Sequence, residues 1–269
     1  MADTVFRDNV VVVTGGSSGI GREIAYQLAG QGALLVLAAR RPSLLESVTD
    51  DCNRRGGRAI AVPTDVGVES DCKALIDRAV SEFGRLDTLI NNAGISMHAR
   101  FDELDSVEPI EQLMRINFFG SVFCTHYALP YLRKSRGRLV AVCSLAGLTG
   151  VPTRTAYAAS KHAMAGFFDS LRIEMAGEGV TVTVAYPGFV ATEIAARAIG
   201  PHGTTLGQRP VRDSAVMSPE ECARLILAAV AKRRRQVIMT ARGRMGLLLK
   251  ALMPAAIDSI AARTIERGS

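Results

Sequence analysis

The stretch Asn9-Val-Val-Val-Val-Thr14-Gly-Gly-Ser-Ser-Gly-Ile-Gly21-Arg-Glu-Ile-Ala-Tyr-Gln-Leu-Ala29 sets three kinds of local structure end to end. The four valines after Asn9 form a short apolar, β-branched run, the mark of a strand buried on both faces. The next eight residues contain four glycines, a turn rather than a periodic element. From Arg22 onward the apolar residues Ile24, Ala25 and Leu28 recur at helical spacing. A strand that passes through a glycine turn into a helix aims free backbone N–H groups and the positive end of the helix dipole at one point, which suits a pyrophosphate. The spacing is G-x-x-x-G-x-G rather than the commoner G-x-G-x-x-G.

The same alternation continues outward. Residues 33–39, 58–62, 86–91, 137–143, 180–186 and 236–239 read as strands; 43–55, 69–83, 106–133, 156–176 and 219–231 read as helices. This predicts the α/β class: a single doubly wound, Rossmann-like parallel sheet with helices on both faces. Residues 188–217 break the rhythm, interrupted by Gly200-Pro-His-Gly203, Gly207 and Pro210. A long aperiodic segment after the C-terminal end of a strand is read as a substrate lid. The expected organisation is a dinucleotide-binding catalytic unit over 1–243, including the lid, followed by a C-terminal helical arm over 244–269. The arm is apolar with scattered basic residues, and Pro254 divides it into two short helices at most. It reads as interface packing in preference to an amphipathic membrane contact.

Composition bounds the rest. At 269 residues and 48% apolar, the chain can bury a sizeable core. Residues 1–13 do not read as a signal segment, and no run reaches the roughly 18–20 apolar residues of a membrane span. Five cysteines without C-x-x-C spacing suit reduced thiols and a cytoplasmic location, and Cys143 reads as an inert buried thiol. The net charge of +6 concentrates at Lys232-Arg-Arg-Arg235, read as a solvated helix end rather than a nucleic-acid site, since few aromatics accompany it. The four histidines share no metal-ligand spacing, so no metal site is expected.

Ser144, Tyr157 and Lys161 carry the chemistry. Tyr157 and Lys161 are spaced i, i+4 and share a helix face. A phenol titrates near pH ~10, and a neighbouring ammonium favours the phenolate and lowers that value. Ser144 closes the apolar run Arg138-Leu-Val-Ala-Val-Cys-Ser144, where its hydroxyl can hold a substrate oxygen beside the phenol. Tyr-x-x-x-Lys alone is weak evidence; the glycine turn upstream gives it a context.

With these pieces in order, residues 9–239 resemble the short-chain dehydrogenase/reductase family. The turn 14–21 is similar to its T-G-x-x-x-G-I-G coenzyme loop, and Asn91-Asn-Ala-Gly94 to its N-N-A-G turn. The resemblance implies Asn117, Ser144, Tyr157 and Lys161 as catalytic residues. Tyr157 would act as general acid in reduction and base in oxidation, Lys161 would lower its pKa and hold the nicotinamide ribose, and Ser144 would polarise the carbonyl. Asn117, unfavourable in mid-helix, would open the helix around a proton-relaying water. The resemblance further implies coenzyme contacts from Gly15, Ser17, Ser18, Gly19, Ile20, Asp65, Val66, Asn92, Ala93, Gly94, Pro187, Gly188, Val190 and Thr192. Asp65 would face the adenine, and the segment from Pro187 to Thr192 would hold the carboxamide.

In this fold an acid at the end of the second strand selects NAD, and an arginine accommodates the 2′-phosphate of NADP. Here the strand closes Leu37-Ala-Ala39-Arg40-Arg41 with no acid, which points to NADP(H), with Arg40 the leading contact and Arg41 second. The expected function is interconversion of a hydrophobic ketone and a secondary alcohol. The alternatives are a non-catalytic dinucleotide sensor and a peripheral-membrane reductase of lipid-like ketones. By the resemblance the chain should form a homodimer or homotetramer through 106–133 and 156–176, where Ala163, Met164, Phe167, Phe168 and Leu171 exceed what one sheet face needs.

Overall fold

The computed structural model describes residues 4–207, 216–256, 258, 259 and 262. Seven strands build one parallel sheet: β1 (Val10–Thr14), β2 (Leu34–Ala39), β3 (Arg58–Pro63), β4 (Thr88–Asn91), β5 (Arg138–Val142), β6 (Thr181–Tyr186) and β7 (Gln236–Ile238). Their order is β3-β2-β1-β4-β5-β6-β7, so the winding reverses between β1 and β4 and opens a crevice at the carboxyl ends of those strands.

The two-residue period of the strands divides the core in two. Val10 and Val12 enter one apolar cluster with Val36, Leu89, Leu139 and Val182. Val11 and Val13 enter the other with Leu35, Leu37, Ile90 and Val140. The first cluster is covered by α3 (Glu69–Phe83), α5 (Gly120–Ser135) and α6 (Thr155–Glu174), through side chains such as Leu75, Leu132 and Phe168. The second is covered by α1 (Gly19–Ala29), α2 (Pro42–Arg54) and α7 (Pro219–Ala231), through Ile24, Leu45 and Ile226. A sheet sealed on both faces explains why these strands read as unbroken apolar runs.

Helix ends differ from the sequence reading by one or two residues, with one larger departure. The helix expected over 106–133 is two helices, α4 (Glu108–Leu113) and α5, joined by a wider π-helical turn at Met114–Phe119 that contains Asn117. After β7 comes α8 (Ala241–Leu252), which begins before the expected start of the arm; Thr240 caps it by accepting from the Gly243 N–H at 3.0 Å. Of the expected lid, 208–215 lie outside the described residues, as do 257, 260, 261 and 263–269 of the arm. The described part of the lid contains no helix or strand element, yet it is stitched down: Ile199 is buried, its N–H donates to the Ser96 carbonyl at 2.9 Å, and its carbonyl accepts from the His98 N–H at 2.8 Å.

All five cysteines are buried free thiols. The Cys143 thiol donates to the Lys161 carbonyl at 3.2 Å, and burial pushes its pKa up, consistent with an inert thiol. The basic cluster after α7 is more than a solvated end. Arg233, in a left-handed backbone conformation, donates to the Arg136 carbonyl at 2.9 Å and to Thr181 Oγ1 at 3.2 Å. Among the described residues, no helix is long and apolar enough to cross a membrane.

Candidate active site

The glycine turn forms one end of a cleft of about 600 Å³ above the β1–β4 reversal. Gly15 and Gly19 take left-handed backbone, φ +68° and +54°. A Cβ at Gly21 would stand 2.3 Å from the Gly15 carbonyl oxygen, so the turn closes on itself only with glycine there. The first turn of α1 has no acid and no side-chain cap, which leaves its N–H groups for an anion. Asn92 ties this turn to β4: its Nδ2 donates to the Thr14 carbonyl at 2.9 Å, while the N–H groups of Asn92 and Ala93 both donate to Thr14 Oγ1 at 3.0 Å. A cradle that a Cβ would fill, beside an uncapped helix start, fits the pyrophosphate of a nicotinamide dinucleotide.

At the end of β2, Arg40 is exposed and Arg41 half-buried, and both line the cleft. Arg41 faces the lid residues Arg197 and Glu193; burial and the Arg197 charge push its pKa down, and Glu193 opposes. Asp65 lines the cleft too, but its carboxylate accepts from the Gly67 N–H at 2.9 Å and shapes the turn into α3. Val66 packs on Gly120, where a Cβ would meet its side chain at 2.8 Å. Thr192 lies over the glycine turn, its Cγ2 3.0 Å from where a Cβ of Gly19 would be. Pro187 is held to the residue after Ser144, since its carbonyl accepts from the Leu145 N–H at 2.9 Å.

Toward the other end lie Ser144, Tyr157 and Lys161. Ser144 follows β5 in extended backbone beside Tyr157, and its Oγ accepts from the Ala146 N–H at 3.2 Å. Tyr157 is buried, and burial holds its phenol above the usual pKa, with the Ser144 hydroxyl and the Arg154 charge working against it. Lys161 does not play the expected part in this balance. Its Nζ donates to the Val142 carbonyl at 3.1 Å and lies 5.9 Å from the centre of the Tyr157 ring, directed at the backbone rather than the phenol oxygen. Its own burial pushes its pKa down. The reading that Lys161 lowers the Tyr157 pKa is therefore corrected for this arrangement: desolvation dominates, and the opposing cation is Arg154.

Asn117 is fully buried in the π-helical turn. Its Oδ1 accepts from the Ile95 N–H at 2.8 Å, and its Nδ2 donates to the Ile95 carbonyl at 3.0 Å and to Ser160 Oγ at 2.9 Å. It thereby fastens the turn after β4 to α6 one residue before Lys161. Every residue expected in the site lines the cleft except Asn117, which lies behind its wall. Sequence reasoning missed Ser160, the partner of Asn117, and Arg154. The signal for Arg154 was its place three residues before Tyr157, at the start of the same helix.

Comparison with known proteins agrees with this geometry. A family model described as short chain dehydrogenase matches residues 9–200. The 11-beta-hydroxysteroid dehydrogenase-like 4A of Arabidopsis thaliana is 45% identical over 182 residues, which are 67% of this chain and 60% of that protein. This chain therefore spans less than two thirds of that relative's length. The 11-beta-hydroxysteroid dehydrogenase 1A of the same plant is 35% identical over 266 residues, covering 95% of this chain and 76% of its own. A crystal structure of a short chain dehydrogenase/reductase from Burkholderia phymatum in complex with NAD superposes with a TM-score of 0.81 at 26% identity, covering 91% of this chain and 94% of that one.

Proposed function

The chain belongs to the short-chain dehydrogenase/reductase family of oxidoreductases, and from that premise we propose that it interconverts a hydrophobic ketone and a secondary alcohol with NADP(H). The observation that carries this reading is that Ser144 and Tyr157 line one cleft with the glycine cradle. Ile95, Val151, Phe189, Ile194 and Ile199 give the Tyr157 end of the cleft an apolar lining.

In the proposed division, residues 1–243 form the catalytic unit, with 188–217 closing over it, and 244–269 form an appended arm. The coenzyme, when bound, supplies or accepts the hydride. Gly15, Ser17, Ser18, Gly19 and Ile20 would receive its pyrophosphate; Asp65 and Val66 its adenine end; Arg40 and Arg41 its 2′-phosphate; Asn92, Ala93, Gly94, Pro187, Gly188, Val190 and Thr192 its nicotinamide half. Ser144 holds the carbonyl oxygen, and Tyr157 gives that oxygen its proton as the carbon is reduced. A phenol kept above its usual pKa remains protonated at neutrality, as the acid role in reduction requires. Lys161, in the cleft wall, would hold the nicotinamide ribose beside Tyr157, and Asn117 keeps the Tyr157 face of α6 in place from behind. Turnover of NADPH against a panel of hydrophobic aryl and alkyl ketones tests the reading; a panel without a single substrate would overturn it.

A homodimer or homotetramer fits the surface, though not through all the residues first named. Met164, Phe168 and Leu171 are buried in the chain's own core. What is left partly exposed is an aromatic group on the π-helical turn, α5 and α6: Phe119 stacks on Phe123 at 6.0 Å, Phe118 meets Phe167 edge-on at 6.0 Å, and Ile173 is 71% exposed on α6. Met245, Leu248 and Leu252 make a second exposed apolar stripe on α8, which we assign to packing between subunits. Sedimentation velocity at micromolar concentration should show a dimer or tetramer and no co-sedimentation with anionic vesicles. Monomer alone would refute the assembly, and vesicle binding would favour a membrane-surface arm. Five buried free thiols support a reducing compartment such as the cytoplasm.

A further inference from the structure

Three arginines line the cleft without an acid at salt-bridge distance among the described residues: Arg40, Arg41 and Arg154. The first two stand at the coenzyme end. Arg154 stands at the other end, in the same wall as Tyr157, and the coenzyme gives it nothing to do. By contrast, Arg197, also in the cleft, is paired with Glu193.

The surroundings of Arg154 are unfavourable to a cation. It is partly buried, and desolvation pushes its pKa down. It occupies the position before the first turn of α6, the positive end of a 20-residue helix whose first turn contains no acid. Its charge is also felt by His98, which burial and Arg154 together hold below the usual imidazole pKa. Its guanidinium lies over the Phe189 ring, with the central carbon 5.3 Å from the ring centre. An uncompensated cation in a cavity wall, where helix stability would prefer an acid or a small polar cap, is the arrangement expected of a site that meets its counter-charge in a ligand.

We propose that Arg154 recognises an anionic group on the substrate, so that the preferred substrate is a hydrophobic ketone bearing a carboxylate or a similar acid. The proposal rests on the carbonyl-reductase reading and sharpens it. Arg154 immediately precedes α6 and Tyr157 is in its first turn, and both line the cleft, so the acid lies along the same wall as the carbonyl and a short distance from it. The fork of the guanidinium receives a carboxylate through two parallel N–H···O bonds. The apolar body rests on Phe189, Ile95 and Val151.

The test compares 4-acetylbenzoate with its methyl ester. The measure is the ratio of their kcat/KM values, in which any influence of the Arg154 charge on Tyr157 cancels. The wild type should favour the acid, and Arg154→Gln should reduce the acid-to-ester ratio by roughly tenfold or more, chiefly through KM; Arg154→Lys should restore part of it. Calorimetric titration of 4-acetylbenzoate into the NADP+-saturated protein supplies a readout without turnover. Binding that weakens in Arg154→Gln and recovers in Arg154→Lys supports the proposal. An unchanged ratio, equal affinity in wild type and Arg154→Gln, or failure of the wild type to bind the acid overturns it. Failure of the wild type to reduce both the ester and other neutral ketones, with acid binding intact, would overturn the carbonyl-reductase reading and leave the anion site standing.

Discussion

Tyr157→Phe is expected to lower kcat for ketone reduction by about 10²–10⁴-fold, with coenzyme affinity and folding retained. The phenyl ring fills the same buried space, and only the hydroxyl with its transferable proton is lost. That loss corresponds to roughly 3–5 kcal/mol of barrier. Steady-state rates beside a coenzyme titration separate the two effects. In the reverse direction, a phenol held above its usual pKa must first lose a proton to act as base, so wild-type alcohol oxidation should rise with pH through the alkaline range. The Phe variant should show no such rise. Retention of more than about a tenth of the wild-type rate would refute the role assigned to Tyr157.

The second large effect belongs to the arginine pair. Arg40→Ala together with Arg41→Ala should weaken NADPH by roughly 10–150-fold and leave NADH nearly unchanged, since a charge-assisted hydrogen bond contributes about 1.5–3 kcal/mol and only NADPH has the 2′-phosphate. The double change is the decisive one. Arg41 is the less exposed of the two, is set at the start of α2 with no acid in its first turn, and looks across the cleft at Glu193 and Arg197, so it can cover for Arg40. Fluorescence titration of both reduced coenzymes reads the result; equal weakening would mean that the pair serves the strand end and not the coenzyme choice.

Much of this was legible from the chain alone. The valine run of β1 and the glycine turn after it reach the structure as read, because a doubly covered sheet demands continuous apolar strands and a pyrophosphate cradle demands glycine. What escaped was whatever depended on a third partner. Helical spacing marks Phe167 and Phe168 alike as apolar, but only the packed sheet shows that Phe168 is fully buried and Phe167 half-buried at the edge of the core. The i, i+4 spacing brings Lys161 to the face of Tyr157, but the Val142 carbonyl on β5 then claims its ammonium. Arg154 belongs to no sequence motif, and only the folded chain shows that it lines the cleft.

The π-helical turn at Met114–Phe119 carries one residue more than an α-helix needs, and Ser121 mends the ladder by donating to the Asn117 carbonyl at 3.2 Å and the Phe118 carbonyl at 2.7 Å. Chain length thereby becomes a variable of the site. With one residue removed from this segment, α4 and α5 could run together as a single regular helix, which is locally the better structure. Each residue advances a helix by about 100°, so that gain would swing Asn117 off Ile95 and Ser160, or turn the buried face of α5 away from the sheet. A helix improved for its own sake would lose its fit to both neighbours. The irregular turn is thus the compromise that lets one helix answer at once to a core on one side and a reaction cleft on the other.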